Sequence, residues 1–174
     1  MTAAMWVLEP IFEADLPPEQ YAYRPGRRAQ EATIEVKELL HRRHSDVVDA
    51  DLSDYFGSIP HAELLKSVAR RITDRRVLHL ITMWLECSVE ETDKRGGKTR
   101  TTEAKDRRCG IPQGSPISPL LANLYMRRFV LAWKKRGLQY RLGSRIVTYA
   151  DDLVICCRKG RAEEALQRMR EIME

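Results

Sequence analysis

Two hydrophobic periods alternate along the chain. Apolar residues three or four apart mark helices, and short β-branched runs mark strands. Between Arg28 and Arg43, Ala29, Ala32, Val36, Leu39 and Leu40 form one stripe at helical spacing. Leu64, Leu65, Val68 and Ile72 mark a second helix. Val77, Leu80, Ile81, Trp84 and Leu85 mark a third, with Thr73 as its expected N-cap. Ser118 and Pro119 are start signals for a helix running through Tyr125 to Trp133 and ending by Gly137. After Gly160, Ala162, Ala165, Leu166, Met169 and Met173 share one face of a last helix. At the other end, Met5 to Glu13 reads as the end of a helix limited by Pro10.

Strand signals are fewer. Val47 to Leu52 is a short strand with an acid, Asp51, at its end. Ile146–Tyr149 and Leu153–Cys156 are runs of strand formers flanking Ala150, Asp151 and Asp152, which predicts a tight β-hairpin with both aspartates at its tip. The polar stretch 88–108 carries Gly96-Gly97, the mark of a hairpin tip or a mobile loop. The sum is an α+β chain, an antiparallel sheet packed on helices, with no internal repeat and no linker.

Composition adds a partner class. A length of 174 residues suits one domain or slightly more, and 43% apolar residues supply a core. Lys plus Arg exceed Asp plus Glu by 30 − 25 = +5, which fits a polyanion partner. Arginines pair at 27–28, 42–43, 70–71, 75–76, 107–108 and 127–128; such pairs suit phosphate, although solvated helix faces account for many of them. Cys87, Cys109, Cys156 and Cys157 lack metal-ligand spacing and read as reduced thiols of a cytoplasmic, prokaryotic-like protein. His41, His44, His61 and His79 form no recognisable site. No apolar stretch reaches membrane-spanning length, and the first residues lack the regions of a signal peptide.

The candidate chemistry centres on acids. Asp-Asp in a hairpin is ordinarily a polar turn. Two unit charges about 4 Å apart repel by roughly 4 kcal/mol at an effective dielectric of about 20. One of them must take up a proton, or a hard cation must sit between them. With Asp51 at a strand end beside the hairpin, three carboxylates come together, as a two-metal phosphoryl-transfer site requires. Phe56 lies five residues beyond Asp51, and a Gly/Pro-rich passage, Cys109 to Pro119, opens the long helix. Tyr21 to Arg27 is a compact turn of aromatic and basic residues suited to phosphate, sugar or base.

Six blocks in this order resemble the reverse transcriptases encoded by group II introns. They are Leu8 to Glu13, Tyr21 to Arg27, Ala50-Asp51-Leu52, Gly110 to Gly114, Ser118 to Tyr125, and Tyr149-Ala150-Asp151-Asp152. The resemblance implies a polymerase palm-like fold, with 1–45 as part of a helical fingers region and 46–174 as palm. The thumb, maturase and endonuclease regions are expected outside the chain. It implies an RNA-directed DNA polymerase using two Mg²⁺ ions, for which Mn²⁺ can substitute. Asp51 and Asp151 would hold both metals with the Leu52 carbonyl, and Asp152 would support them. Phe56 would stack under the incoming sugar and exclude a ribose 2′-hydroxyl; a plain core aromatic is the other reading. Pro112, Gln113 and Gly114 would contact the incoming nucleotide or template. Tyr23, Arg24 and Arg27 would touch template or intron RNA, or simply hold a turn. RNA template, intron RNA, DNA primer and dNTPs are the implied partners, and no membrane is. Where fingers and thumb would pack, an exposed apolar surface implies poor solubility or a homodimer. Departures exist: Gly57 stands where the family usually has Asp after Phe, Ala22-Tyr23 where it has Gly-Phe, and Ser115 where Gly is frequent. An inactive RNA-binding remnant of a decayed intron-encoded protein is the alternative.

Overall fold

The computed structural model describes residues 1–92 and 98–173. Its elements run α1 (Thr2–Glu13), α2 (Ala29–His41), β1 (Asp46–Asp51), α3 (Tyr55–Ser58), α4 (His61–Val68), α5 (Arg75–Leu85), β2 (Val89–Thr92), β3 (Lys98–Thr101), α6 (Glu103–Arg107), α7 (Ser118–Lys135), α8 (Leu138–Arg141), β4 (Arg145–Tyr149), β5 (Asp152–Cys157) and α9 (Ala162–Met173). They gather into two compact units. One joins Met1–Ala14 to Asp54–Tyr125, the other Asp15–Ser53 to Met126–Glu174. No linker betrays this division, because one crossing falls inside α7.

The second unit is built on an antiparallel sheet in the order β1-β5-β4. Central β5 is apolar because it has a strand on each side: Leu153, Ile155, Cys156 and Cys157 are wholly buried. Ala32 and Leu39 of α2 cluster with Val147 and Cys156, and Tyr21, Val36 and Val154 pack around them. In the later half of α7, Phe129 and Trp133 stack tilted at 5.8 Å. The Trp133 indole N–H donates to Ser144 Oγ (3.0 Å), and that hydroxyl donates to the Leu138 carbonyl (3.2 Å). The outer edge of β4 is closed by the preceding loop: Tyr21 N–H donates to the Thr148 carbonyl (3.0 Å) and Thr148 N–H to that of Glu19 (2.8 Å).

In the first unit α4 packs on α5. β2 and β3 pair antiparallel from Val89↔Thr101 to Thr92↔Lys98; the expected Gly96-Gly97 tip lies outside the described residues. His61, assigned no role by the sequence, is buried and donates from Nε2 to the Gly110 carbonyl (2.7 Å). Its own N–H donates to the Arg108 carbonyl (3.0 Å), beside a Pro60–Cys109 bridge. Among the described residues, no helix is long and apolar enough to cross a membrane.

Local expectations shift in three places. Pro10 lies inside α1 and does not limit it. It forgoes one backbone hydrogen bond, while Leu8 and Phe12 on either side are buried at 4% and 1% exposure and hold the helix in place. Asp74, not Thr73, caps α5, its carboxylate accepting from Arg76 N–H at 2.7 Å. The helical stripes are narrower than their periodicity: Ala32 and Leu39 are buried in α2 and Ile81 and Leu85 in α5, while Leu40 and Leu80 stay exposed. One side of each helix faces water, and full burial reaches only about one residue in every two turns.

Candidate active site

β4 and β5 are joined by Ala150 and Asp151 alone. Asp152 therefore does not sit at the hairpin tip as the sequence suggested; it is the first residue of β5. Two-residue connections match the twist of the strands but demand positive φ, and Ala150 supplies it at φ +56°. Asp152 is paired with Tyr149 on one side and Asp51 on the other. Directly opposed residues project from the same face. Asp51, Asp152 and Tyr149 thus form one row across the sheet end, followed by the row Asp49, Val154, Val147. α2 covers Val147, Val154 and Cys156 on that face, while Asp51, Asp152 and Tyr149 are exposed. Leu52 N–H donates to the Asp151 carbonyl (3.2 Å), continuing the β1–β5 ladder one step past the strands. Asp49 was missed from sequence; its signal was the period of two that puts it on the face of Asp51.

Partial desolvation at the start of β5 raises the carboxyl of the otherwise exposed Asp152 above its ordinary pKa, and the charges of Asp151, Asp51 and Asp49 push it further. That is the state of crowded carboxylates with no neutralising charge. The carboxylate and backbone oxygens gathered here fit, in kind, a hard divalent cation. Among the described residues, no three His, Cys, Asp or Glu side chains converge on one ligand position.

The raised Asp152 gives a pH prediction for the metal-free protein. A carboxyl with a folded pKa above its unfolded value leaves stability intact below the unfolded pKa and lowers it as pH rises through the folded one. Asp152→Asn should unfold at a higher temperature than wild type at neutral pH, and the gap should close below the ordinary carboxylate range. Melting curves across pH test it; a gap that widens toward acid would refute it.

Phe56 and the 112–114 passage come together in the other unit. Tyr55 is buried and donates from its hydroxyl to the Ala122 carbonyl (2.8 Å), so it takes the core role. Phe56 is half-buried, edge-on to Tyr55 at 5.8 Å. Its carbonyl accepts from Ile111 N–H (2.8 Å), and Ile59's from Gly110 N–H (2.8 Å). The Pro112 carbonyl accepts from Ser118 Oγ (2.6 Å), which docks the passage on the start of α7. Gln113 and Gly114 are exposed, Gly114 at φ +82°.

The Tyr21–Arg27 turn is anchored at the β4 edge. Arg24 Nη1 donates to the carbonyls of Pro17 (2.7 Å) and Gln20 (2.8 Å), and Nη2 reaches that of Leu16 (3.4 Å). Arg27 donates to the Pro18 carbonyl (2.8 Å) and lies over the Tyr21 ring at 5.0 Å. Tyr23 is exposed, at φ +56°. Arg24 therefore has a structural task whatever else it touches. Arg24→Ala should cost at least about 2 kcal/mol, since a single hydrogen bond from a charged group is worth about 1.5–3 kcal/mol. Equilibrium unfolding measures this; an unmoved midpoint would leave Arg24 only an external role.

An antiparallel sheet with exposed acids at one end, packed on helices, is an arrangement that polymerase palms share with other α+β proteins. The family model for reverse transcriptase (RNA-dependent DNA polymerase) matches residues 1–174, and the chain belongs to that family. Protein YkfC of Escherichia coli K12 is 35% identical over 131 residues, 73% of this chain and 32% of that protein. The group II intron-encoded protein LtrA of Lactococcus lactis subsp. cremoris is 27% identical over 133 residues, 75% of this chain and 20% of LtrA. The putative COX1/OXI3 intron 2 protein of Saccharomyces cerevisiae is 28% identical over 120 residues, 69% of this chain and 13% of its own length. The chain spans about a third or less of these relatives. In fold it is similar to apo telomerase from Candida tropicalis, with TM-score 0.65, 9% identity, and coverage of 97% of this chain and 36% of that one. Telomerase from Candida albicans, in complex with a fragment of telomeric RNA, has TM-score 0.66 at 9% identity, covering 94% of this chain and 31% of that one.

Proposed function

We propose that the chain carries the polymerising site of an RNA-directed DNA polymerase of group II intron type, adding dNTPs to a primer 3′-hydroxyl on an RNA template. The observation that carries this reading is the pairing of Asp51 with Asp152 at the exposed sheet end, beside Asp151 in the turn. In this reading residues 1–45 belong to the fingers and 46–174 to the palm. Asp51, Asp151 and the Leu52 carbonyl would hold two Mg²⁺ ions, or Mn²⁺ in their place, with Asp152 in support. Held by these residues, such cations would supply acidification of the primer hydroxyl and neutralisation of charge on the triphosphate. The chain's own groups orient the reactants. The two-residue turn fixes Asp151, the strand pair fixes Asp51, Phe56 bounds the sugar, and Pro112, Gln113 and Gly114 meet the nucleotide or template. Tyr23, Arg24 and Arg27 face template or intron RNA from the turn at the β4 edge. Buried, unpaired Cys156 and Cys157 suit a cytoplasmic location.

The test is primer extension on an RNA template with Mg²⁺ and dNTPs. It is run on the 174-residue chain and on the chain joined to fingers and thumb segments of a relative, each beside Asp151→Ala. Extension lost with Asp151 supports the reading. Extension undiminished in Asp151→Ala sinks the mechanism. Silence of every soluble, folded form favours the RNA-binding remnant.

A further inference from the structure

The end of the sheet opposite the acids is basic. Residues 134–150 carry five Lys or Arg and no acid, and 157–161 add three more. These stretches supply the end of α7, α8, β4 and the turn between β5 and α9. Elsewhere, surface cations are matched within their own helix, as in Arg42–Glu38, Lys66–Glu63 and Arg168–Glu171. Along 134–150 the local sequence offers no such match. Glu164 is shared by Arg141 (2.8 Å) and Arg161 (3.3 Å), and Asp46 accepts from Gly160 N–H (2.7 Å). Among the described residues, Arg145, Arg158 and Lys159 form no ion pair, and all three are exposed.

Topology brings these groups together. Arg145 on β4 pairs with Cys156 on β5. Arg158, two residues past Cys156, lies against Gly143, two residues before Arg145: a Cβ on Gly143 would fall 2.7 Å from Arg158 Cγ and Cδ. The two arginines therefore start from neighbouring strands on one face of the sheet. Arg145 stands at the far end of β4 from Tyr149, roughly 13 Å from the acid row at about 3.3 Å per residue. α8 adjoins this point, since Gly143 N–H donates to the Tyr140 carbonyl (3.3 Å). Tyr140 is 79% exposed, more than any other large apolar side chain among the described residues. A ring so far out in water contributes little to packing, and it stands next to exposed Arg141.

We propose that this end of the sheet binds an unpaired stretch of RNA, at a place separate from the acid row. Arg145, Arg158 and Lys159 meet phosphates, which suit the planar fork of Arg. Tyr140 stacks on a base, whose face a single strand leaves accessible. A membrane surface needs several apolar anchors. Among the described residues from 134 to 161, the exposed large apolar side chains are Tyr140 and Tyr149 of the acid row. Membership of an RNA-dependent family selects RNA among the nucleic acids. Binding here needs neither metal nor nucleotide, so it stands or falls apart from polymerisation.

The experiment measures, by fluorescence anisotropy in EDTA, how the whole chain binds an oligouridine of about twelve nucleotides. At about 0.15 M salt, R145Q/R158Q should bind about tenfold more weakly, and the slope of log K against log salt should be shallower by about 1.4, for two phosphates at about 0.7 each. R145K/R158K keeps the charge and should stay within about threefold of wild type. Y140A should weaken binding about tenfold with the slope unchanged, and should leave the binding of duplex RNA unaltered. R75Q/R76Q, the same loss of charge on α5 in the other unit, should change binding less than about twofold. The thermal midpoints should stay at the wild-type value, because the replaced side chains are exposed. Equal weakening by R75Q/R76Q and R145Q/R158Q would reduce the effect to overall charge and overturn the proposal. So would wild-type affinity in Y140A, a wild-type chain that binds no oligouridine, or displacement of the RNA by polyglutamate as readily as by unlabelled oligouridine, which would point to an acidic protein instead.

Discussion

Asp51→Asn should lower primer extension on the order of a thousandfold while raising the thermal midpoint in metal-free buffer. Both effects have one cause. Asp51 faces Asp152 directly across the strands, and both are exposed at the sheet end. In the absence of a cation their charges repel, and Asp51 is one of the groups that push the Asp152 carboxyl upward. Asparagine keeps the shape and removes the charge, so the fold gains what the chemistry loses. Adding Mg²⁺ separates this from a trivial packing effect. A cation bound only by the folded state raises the midpoint by mass action, so wild type should climb with Mg²⁺ and Asp51→Asn should stay flat. A variant that extends primers like wild type, or one whose lost activity is matched by a lower midpoint, would refute the assignment.

Phe56→Ala should raise the use of ribonucleotides relative to deoxynucleotides by one to two orders of magnitude. Burial divides the two neighbouring aromatics. Tyr55 is 7% exposed and hydrogen-bonded to the Ala122 carbonyl, whereas Phe56 is half-buried beside it. Truncating Phe56 opens space next to a backbone that Ile111 still holds at 2.8 Å, so the turn survives while the proposed barrier to a 2′-hydroxyl is removed. The ratio of kcat/KM for dNTP and rNTP is the readout. An unchanged ratio in a folded variant would return Phe56 to plain packing.

The acids were legible in the sequence because their setting is local: β-branched runs on both sides of Ala150-Asp151-Asp152 leave little but a hairpin. What eluded the sequence was register. Pairing placed Asp152 in the strand and Asp151 in the turn, and it brought Asp49 onto the acidic face. Pro10 misled for a related reason. Its local preference is to end a helix, and the burial of Leu8 and Phe12 overrides it. Thr73 and Asp74 are both good caps, and only the backbone settles which one carries the cap. The Tyr21–Arg27 turn reads as basic and aromatic, yet the carbonyls that engage Arg24 lie four to eight residues away, and no residue pattern announces a bond to a main-chain oxygen. The two interleaved units were invisible because a crossing inside α7 leaves no break in its periodicity.

The register of β1 against β5 also works as a check on folding errors. Val48 lies opposite buried Ile155, and Asp49 and Asp51 lie on the other face. A slip of one residue would turn every side chain of β1 over, driving Asp49 and Asp51 inward and Val48 out into water. A chain misaligned in that way loses its core and its acidic row together. Quality control in the cell would then have little inert but well-folded protein to sort, because the fault that disarms the site also exposes the chain to proteolysis.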